Sequence, residues 1–307
     1  MNVLILLFTL LFSGFVSAAP LKNIVVFGDS LSDNGNLYEY MERKLPESPP
    51  YYEGRFTNGP VWVEKLAALS FPNDGNGRLL DYAFGGAGVS NDSEEDGILF
   101  TLKREIDSYL LAHQDKADEN SLFIVWIGAN NYLGIPDDAN KTVTEVNAGI
   151  KRGLERLAQA GAKHVLVLNL PDLGKIPVAR LFDATEVLST ISIDHNARLM
   201  QTVESLKKEY NDVQWLQYDV YQMMGEVLAD PGQYGFSNTL ETCYDVIVDK
   251  PSQQSMLKIA QRLKFQGQVD CSSYLFFDPV HPSAPAHDMM ALRVHALLNA
   301  AGIQFAD

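Results

Sequence analysis

The sequence predicts an α/β fold: a mainly parallel sheet covered by helices on both faces, in a single domain. Three observations carry that prediction. Short apolar runs recur along the chain, and those at residues 24–27, 122–127 and 165–170 are nearly continuous in Val, Ile, Leu and Phe, as strands buried on both faces require. Helix-length segments separate the runs, with apolar residues near a spacing of 3.6. Strand and helix then alternate, the succession that winds a parallel sheet with helical crossovers.

Each element follows in order. The first strand, "IVVF" at 24–27, stops at Gly28 and runs into Asp29 and Ser30. A helix covers 61–69, and a second strand at 80–83 leads into "FGGAG". Residues 99–113 carry Leu102, Ile106, Tyr109 and Leu110 at helical spacing. The third strand, 122–127, ends at "GANN", and the helix of 143–160 repeats Val143, Val146, Ile150, Leu154 and Leu157 on one stripe. A fourth strand at 165–170, a helix at 193–210, a fifth strand at 213–218 and a final helix at 284–298 complete the pattern. The stretches "PESPPYYEGRF" (46–56) and "GVSNDSEEDG" (88–97) are expected as surface connections. Between 231 and 274 the periodicity fades, and a long irregular insertion in a compact domain is usually functional or mobile.

Composition narrows the function. The chain has 307 residues, 46% hydrophobic and 21% charged, with a net charge of −15. Such a balance is globular, and it opposes nucleic-acid binding and attraction to anionic lipid. Neutral and zwitterionic lipids stay open as substrates. The amino terminus has an apolar core over 3–16 followed by Ser17, Ala18 and Ala19, which reads as a signal peptide (1–18) ahead of a mature domain (19–307), although no Lys or Arg precedes the core. An uncleaved anchor is the alternative. Export makes the two cysteines, Cys243 and Cys271, a disulfide pair that closes the 243–271 insertion. Closure would stabilise the fold by roughly 3 to 4 kcal/mol; two buried thiols are the other possibility.

Four polar clusters each follow an apolar run: "GDS" (28–30), "DYAFGGAG" (81–88), "GANN" (128–131) and, after "YLFF", "DPVHPS" (278–283). Parallel strands place their carboxyl ends on one rim, where such clusters meet. A serine hydroxyl needs a base to take its proton, and an imidazole oriented by a carboxylate is the usual one. Asp278 and His281, three apart, can provide both. Ser30 is expected to open a helix and present its own N–H to an oxyanion, Gly86 permits close backbone approach, and Asn130 offers a side-chain amide donor. Each residue alone also fits a turn, a cap or a strand end; the combination favours acyl transfer.

The blocks "FGDSLSDNGN" (27–36), "DYAFGGAG" (81–88), "GANN" and "DPVHPS", together with "GRFTNGPVWVEKLA" (54–67), resemble those of the GDSL lipases, or SGNH hydrolases, over nearly the whole mature chain. The resemblance implies a flavodoxin-like three-layer α/β/α sandwich. It implies Ser30 as nucleophile, Asp278 and His281 as its partners, and the Ser30 amide, Gly86 and Asn130 as oxyanion donors, with no cofactor or metal. One position departs: the third block commonly reads Gly-x-Asn-Asp, and Asn131 stands last here, which should change local support. The nearest likeness is to secreted bacterial lysophospholipase A and glycerophospholipid–cholesterol acyltransferases. That implies a lipid ester substrate at a membrane surface, and a protease acting on the 243–271 loop is a further expectation.

Rival readings fit less well. An α/β-hydrolase elbow needs glycine where Ser32 stands. A metal hydrolase using Asp278, His281 and His287 lacks a ligand spacing, His287 being expected at a packed helix surface. A secreted carbohydrate-binding module of the same fold has no need of Ser30, Asp278 and His281 together, and an acetyl esterase remains a variant of the main reading.

Overall fold

A computed structural model describes residues 19–90, 100–244 and 269–306. Five strands, β1 (Asn23–Gly28), β2 (Leu79–Asp81), β3 (Ser121–Trp126), β4 (His164–Leu168) and β5 (Gln214–Tyr218), form one parallel sheet in the order β2-β1-β3-β4-β5. This is the doubly wound, flavodoxin-like order, whose ligand crevice lies at the carboxyl ends beside β1 and β3. Nine helices appear among the described residues: α1 (Asn36–Tyr40), α2 (Trp62–Ser70), α3 (Gly75–Arg78), α4 (Leu102–Ala112), α5 (Ala139–Ala160), α6 (Pro177–Leu181), α7 (Thr185–Glu209), α8 (Val220–Ala229) and α9 (Ala284–Ala300).

The apolar runs are continuous because the sheet has a core on each side. Ile24 and Val26 of β1, with Leu122 and Ile124 of β3, pack with residues of α2 and α9. Val25, Phe27, Phe123 and Val125 pack on the other side with α4, α5 and α7. Fully burying each such side chain contributes about 1.5–3 kcal/mol, so both halves of the alternation are held in place.

Several expectations change. The helix expected at 193–210 starts earlier, because Leu188 and Ile191 continue its buried stripe. The sequence reading passes over α8, which follows β5 almost directly; Asp219 caps it by accepting from the Gln222 N–H, and Val220, Met224 and Val227 bury one face. "YLFF" is not a strand of the central sheet. Its residues form β7 (Tyr274–Phe276), which pairs with β6 (Asn238–Thr242) in a separate two-stranded parallel sheet, and the Cys243 and Tyr244 N–H groups extend the link by donating to Phe276 and Phe277 carbonyls. The "PESPPYYEGRF" segment is not wholly a surface connection either. Tyr51 and Phe56 are buried with Leu37, Tyr244, Cys271 and Phe277 in a third apolar cluster, since two aromatic rings gain more from burial than the loop loses.

The expected leader, most of the acidic connection (91–99) and the centre of the insertion (245–268) lie outside the described residues. Among the described residues no helix is long and apolar enough to cross a membrane. Cys243 and Cys271 are joined by a disulfide.

Candidate active site

The site begins where β1 stops. At Gly28 a Cβ would stand 2.6 Å from the Trp126 carbonyl of β3, so the strand end tolerates no side chain. The chain then turns: the N–H groups of Ser32 and Asp33 both donate to the Asp29 carbonyl at 3.0 Å, and the Leu31 N–H donates to Asp29 Oδ1. Ser30 sits at the apex of this turn and does not open a helix. The first helix, α1, begins at Asn36, because the Asp33 carboxylate collects the N–H groups of Gly35, Asn36 and Leu37 and fixes the helical start there.

After β7 the chain makes a second polar turn. Asp278 Oδ1 accepts from the N–H groups of Val280 and His281, each at 2.7 Å. Asp278 Oδ2 lies 2.7 Å from His281 Nδ1, and His281 Nε2 lies 2.8 Å from Ser30 Oγ. With Nδ1–H donating to the carboxylate, Nε2 is left as the acceptor for the serine hydroxyl. All three side chains are buried, so the series is screened from bulk water. Burial alone would raise the Asp278 carboxyl; the charge and ring N–H of His281, the Tyr51 hydroxyl and the backbone N–H of His281 outweigh it and hold the group below its ordinary 3.8.

Ser30 and Asn130 line the same cavity. Asn130 belongs to the 3-10 turn Ala129–Asn131 after β3 and donates one amide N–H to the Ala87 carbonyl at 2.7 Å. Gly86, with φ 79°, precedes Ala87 in the turn beyond β2 and is not among the cavity's lining residues. That turn is tied to the end of β1 by the Phe84 N–H donating to the Gly28 carbonyl at 3.1 Å. Asn131 brackets Val89, accepting its N–H at 2.9 Å and donating to its carbonyl at 2.8 Å. A carboxylate could make the first contact and not the second. From Ser30 the cavity runs between Trp126, Leu133, Ile176, Met224, Val227 and Met290, an apolar wall almost throughout.

Two residues near the site, Glu105 and Tyr51, escape the sequence reading. Glu105, on the buried stripe of α4, accepts the Gly28 N–H through Oε2 at 2.9 Å. Its Oε1 has no hydrogen-bond partner, and burial raises its carboxyl well above the usual range; the available signal was a carboxylate among Leu102, Ile106 and Tyr109. His287, expected at a packed helix surface, is buried on the face of α9 that meets α2, where its Nδ1 accepts the Trp62 backbone N–H at 3.1 Å. Burial, then the charges of Lys65 and His281, lower it to about 3. Tyr51 donates its hydroxyl to Asp278 Oδ2 at 2.6 Å, and no local pattern announces that.

A hydroxyl, an imidazole and a carboxylate in hydrogen-bonded series at the rim of a parallel sheet are the equipment of a serine hydrolase. The chain belongs to the GDSL-like Lipase/Acylhydrolase family, whose profile matches residues 24–294, and it is accordingly a hydrolase. The phosphatidylcholine-sterol acyltransferase of Aeromonas hydrophila is 32% identical over 303 residues, covering 88% of this chain and 88% of that protein. The secreted effector protein SseJ of Salmonella typhimurium is 29% identical over 92% of this chain and 65% of its own length. The thermolabile hemolysin of Vibrio parahaemolyticus is 28% identical over 88% and 62%. This chain therefore spans less than two thirds of the last two relatives.

Proposed function

We propose that the protein is an exported serine esterase that cleaves acyl esters of lipids, lysophospholipids foremost, through an acyl-enzyme on Ser30. The observation that carries this reading is the series from Ser30 through His281 to Asp278 opening on an apolar cavity. Ser30 Oγ attacks the ester carbonyl while His281 Nε2 takes its proton. The imidazolium then protonates the departing alcohol, and a water activated by the same ring releases the fatty acid. The Ser30 and Gly86 N–H groups and Asn130 Nδ2 are the donors assigned to the oxyanion.

A cavity walled by Trp126, Leu133 and Met224 supports a fatty acyl chain over an acetyl group, and one such cavity at Ser30 suits a lipid with a single chain. The leader at 1–18 and the disulfide support export. The relative from Aeromonas is by name an acyltransferase to sterol, which supports transfer to an alcohol as a second outcome of the same acyl-enzyme. Cleavage within the 243–271 loop by a protease belongs to this reading as an activating event.

The test is a lipid-product assay on lysophosphatidylcholine, with and without added sterol, before and after a verified cut in that loop. Ser30→Ala should remain folded, lose several orders of magnitude in turnover and fail to take a fluorophosphonate label. A variant that kept most of the activity would rule out the mechanism; release of acetate from acetylated sugars in preference to fatty acid would redirect the substrate.

A further inference from the structure

We propose that Tyr51 is a positioning residue for the base, its hydroxyl fixing Asp278 against His281. The inference rests on the reading of Ser30, His281 and Asp278 given above. Asp278 is fully buried, and its carboxylate has room for about four strong donors. Four are present: the Val280 and His281 N–H groups on Oδ1, and His281 Nδ1–H and the Tyr51 hydroxyl on Oδ2. Three of these come from the Asp278 turn itself. The fourth comes from 227 residues away and is the donor that shares an oxygen with the imidazole.

Tyr51 does not reach in alone. The segment from 51 to 58 runs beside the turn from 278 to 284 and contacts it repeatedly. Phe56 lies against the His281 ring, centroids 5.1 Å apart, and Thr57 Oγ1 donates to the Pro282 carbonyl at 2.8 Å. Asn58 Oδ1 accepts the Ala284 N–H at 2.8 Å. The segment is itself anchored, since Arg55 forms a two-point ion pair with Glu64 of α2 at 2.6 and 3.1 Å. Tyr51 is wedged between the rings of Phe56 and Phe277. Burial, then the Asp278 charge, raises the phenol well above 10, so it stays a donor wherever the carboxylate is ionised.

Two consequences follow for the base. A carboxylate that shares Oδ2 between two donors cannot rotate away from the imidazole without losing both. It is also a weaker acceptor toward Nδ1–H than one with the imidazole as sole partner, so the hydroxyl moderates how strongly the imidazolium is held. The other titratable groups that bear on His281 are Asp29, below Ser30, and His287 of α9; both are common to parent and variant, so a difference between the two reports Tyr51.

The experiment is Tyr51→Phe, assayed on a short soluble ester so that lipid binding does not intervene, with Ser30→Ala alongside. The ring contacts persist, so the melting temperature should change little. We expect kcat to fall about tenfold or more with KM nearly constant, fluorophosphonate labelling of Ser30 to slow in parallel, and the acid limb of the kcat/KM profile to move to higher pH. Replacing Tyr51 with 3-fluorotyrosine, a stronger donor, should move that limb the other way, and it covers the case in which Tyr51→Phe does not fold. A limb and labelling rate unmoved in a folded variant would overturn the role of Tyr51 while leaving Ser30 in place. Activity surviving in Ser30→Ala would overturn the reading of the site itself.

Discussion

At the scale of single residues, the site depends on which donors and acceptors each side chain can supply. Asn130 gives one amide N–H to the Ala87 carbonyl and has a second to offer the oxyanion. Asn130→Ala is therefore expected to lower kcat by about 10²-fold or more with little change in KM, the scale of one oxyanion donor; an unchanged steady-state kcat would remove Asn130 from that role. Its neighbour should behave differently. Asn131→Asp keeps the acceptor for the Val89 N–H but loses the donor to the Val89 carbonyl, leaving a buried carbonyl facing a carboxylate. A loss of about 1–3 kcal/mol in a denaturation measurement is expected, with a smaller effect on turnover than at Asn130. Ser30, Asp278, His281, Gly86 and Asn130 were all legible as candidates, since each stands in a short polar cluster after an apolar run. Tyr51 was not, because its loop is rich in proline and polar residues and its single partner lies far away in the chain.

At the scale of elements, the small sheet of β6 and β7 brings Asp278 and His281 to Ser30 although neither strand joins the central sheet. The disulfide closes this unit: Cys243 follows β6 by one residue, Cys271 precedes β7, and Cys271 packs with Tyr51, Tyr244 and Phe277. Phe277 adjoins Asp278, so loosening the unit reaches the site directly. Replacing both cysteines, Cys243→Ser with Cys271→Ser, should cost roughly 3 kcal/mol by loop-closure entropy. Ester turnover should survive at low temperature and be lost on heating well before that of the parent. A thermal inactivation series measures it, and coincident curves would show that the small sheet holds without its covalent link. The central strands were readable from apolar runs, and so was "YLFF", but its pairing with β6 was not: β6 is five residues of mixed polarity with no period to detect, and a three-residue strand does not announce its partner.

At the scale of the whole molecule, buried titratable groups set an unusual pH response. Burial pushes Asp29 and Asp33 up to about 6, and Asp81 and Glu105 well above the ordinary range, while it lowers His195 and His287 to about 3. A carboxyl raised in the fold keeps a proton that the unfolded chain has released, so its stabilisation is present at low pH and fades as pH rises through its folded value. A histidine lowered in the fold acts oppositely, holding its contribution above the ordinary 6.5 and losing it as pH falls. Four groups of the first kind outweigh two of the second between about pH 4.5 and 6, and acidification also relieves part of the net charge of −15. Stability should therefore rise from pH 7 to pH 5, then fall below about pH 4, where the unfolded chain's Asp278 takes up a proton that the folded chain's carboxylate, held below its ordinary value, still refuses. Urea midpoints at pH 7, 6, 5 and 3.5 test this, and a steady decline from 7 to 5 would contradict the assignment of protons to the buried carboxyls.

The sequence by itself determined the α/β class, the succession of the five central strands, and the hydroxyl, imidazole and carboxylate available for chemistry. It could do so because burial on two faces, helical spacing and short polar clusters are all written within windows of a few residues to a couple of dozen. Tertiary structure alone decided that Ser30 stands on a turn, that β7 lies outside the main sheet, and that Tyr51 and Glu105 back the two ends of the site. The Ser30 turn rests on local bonds to Asp29 that carry no period; the other outcomes depend on contacts between segments up to 227 residues apart, and complementary shape and hydrogen bonding select such contacts without any local periodicity to record them.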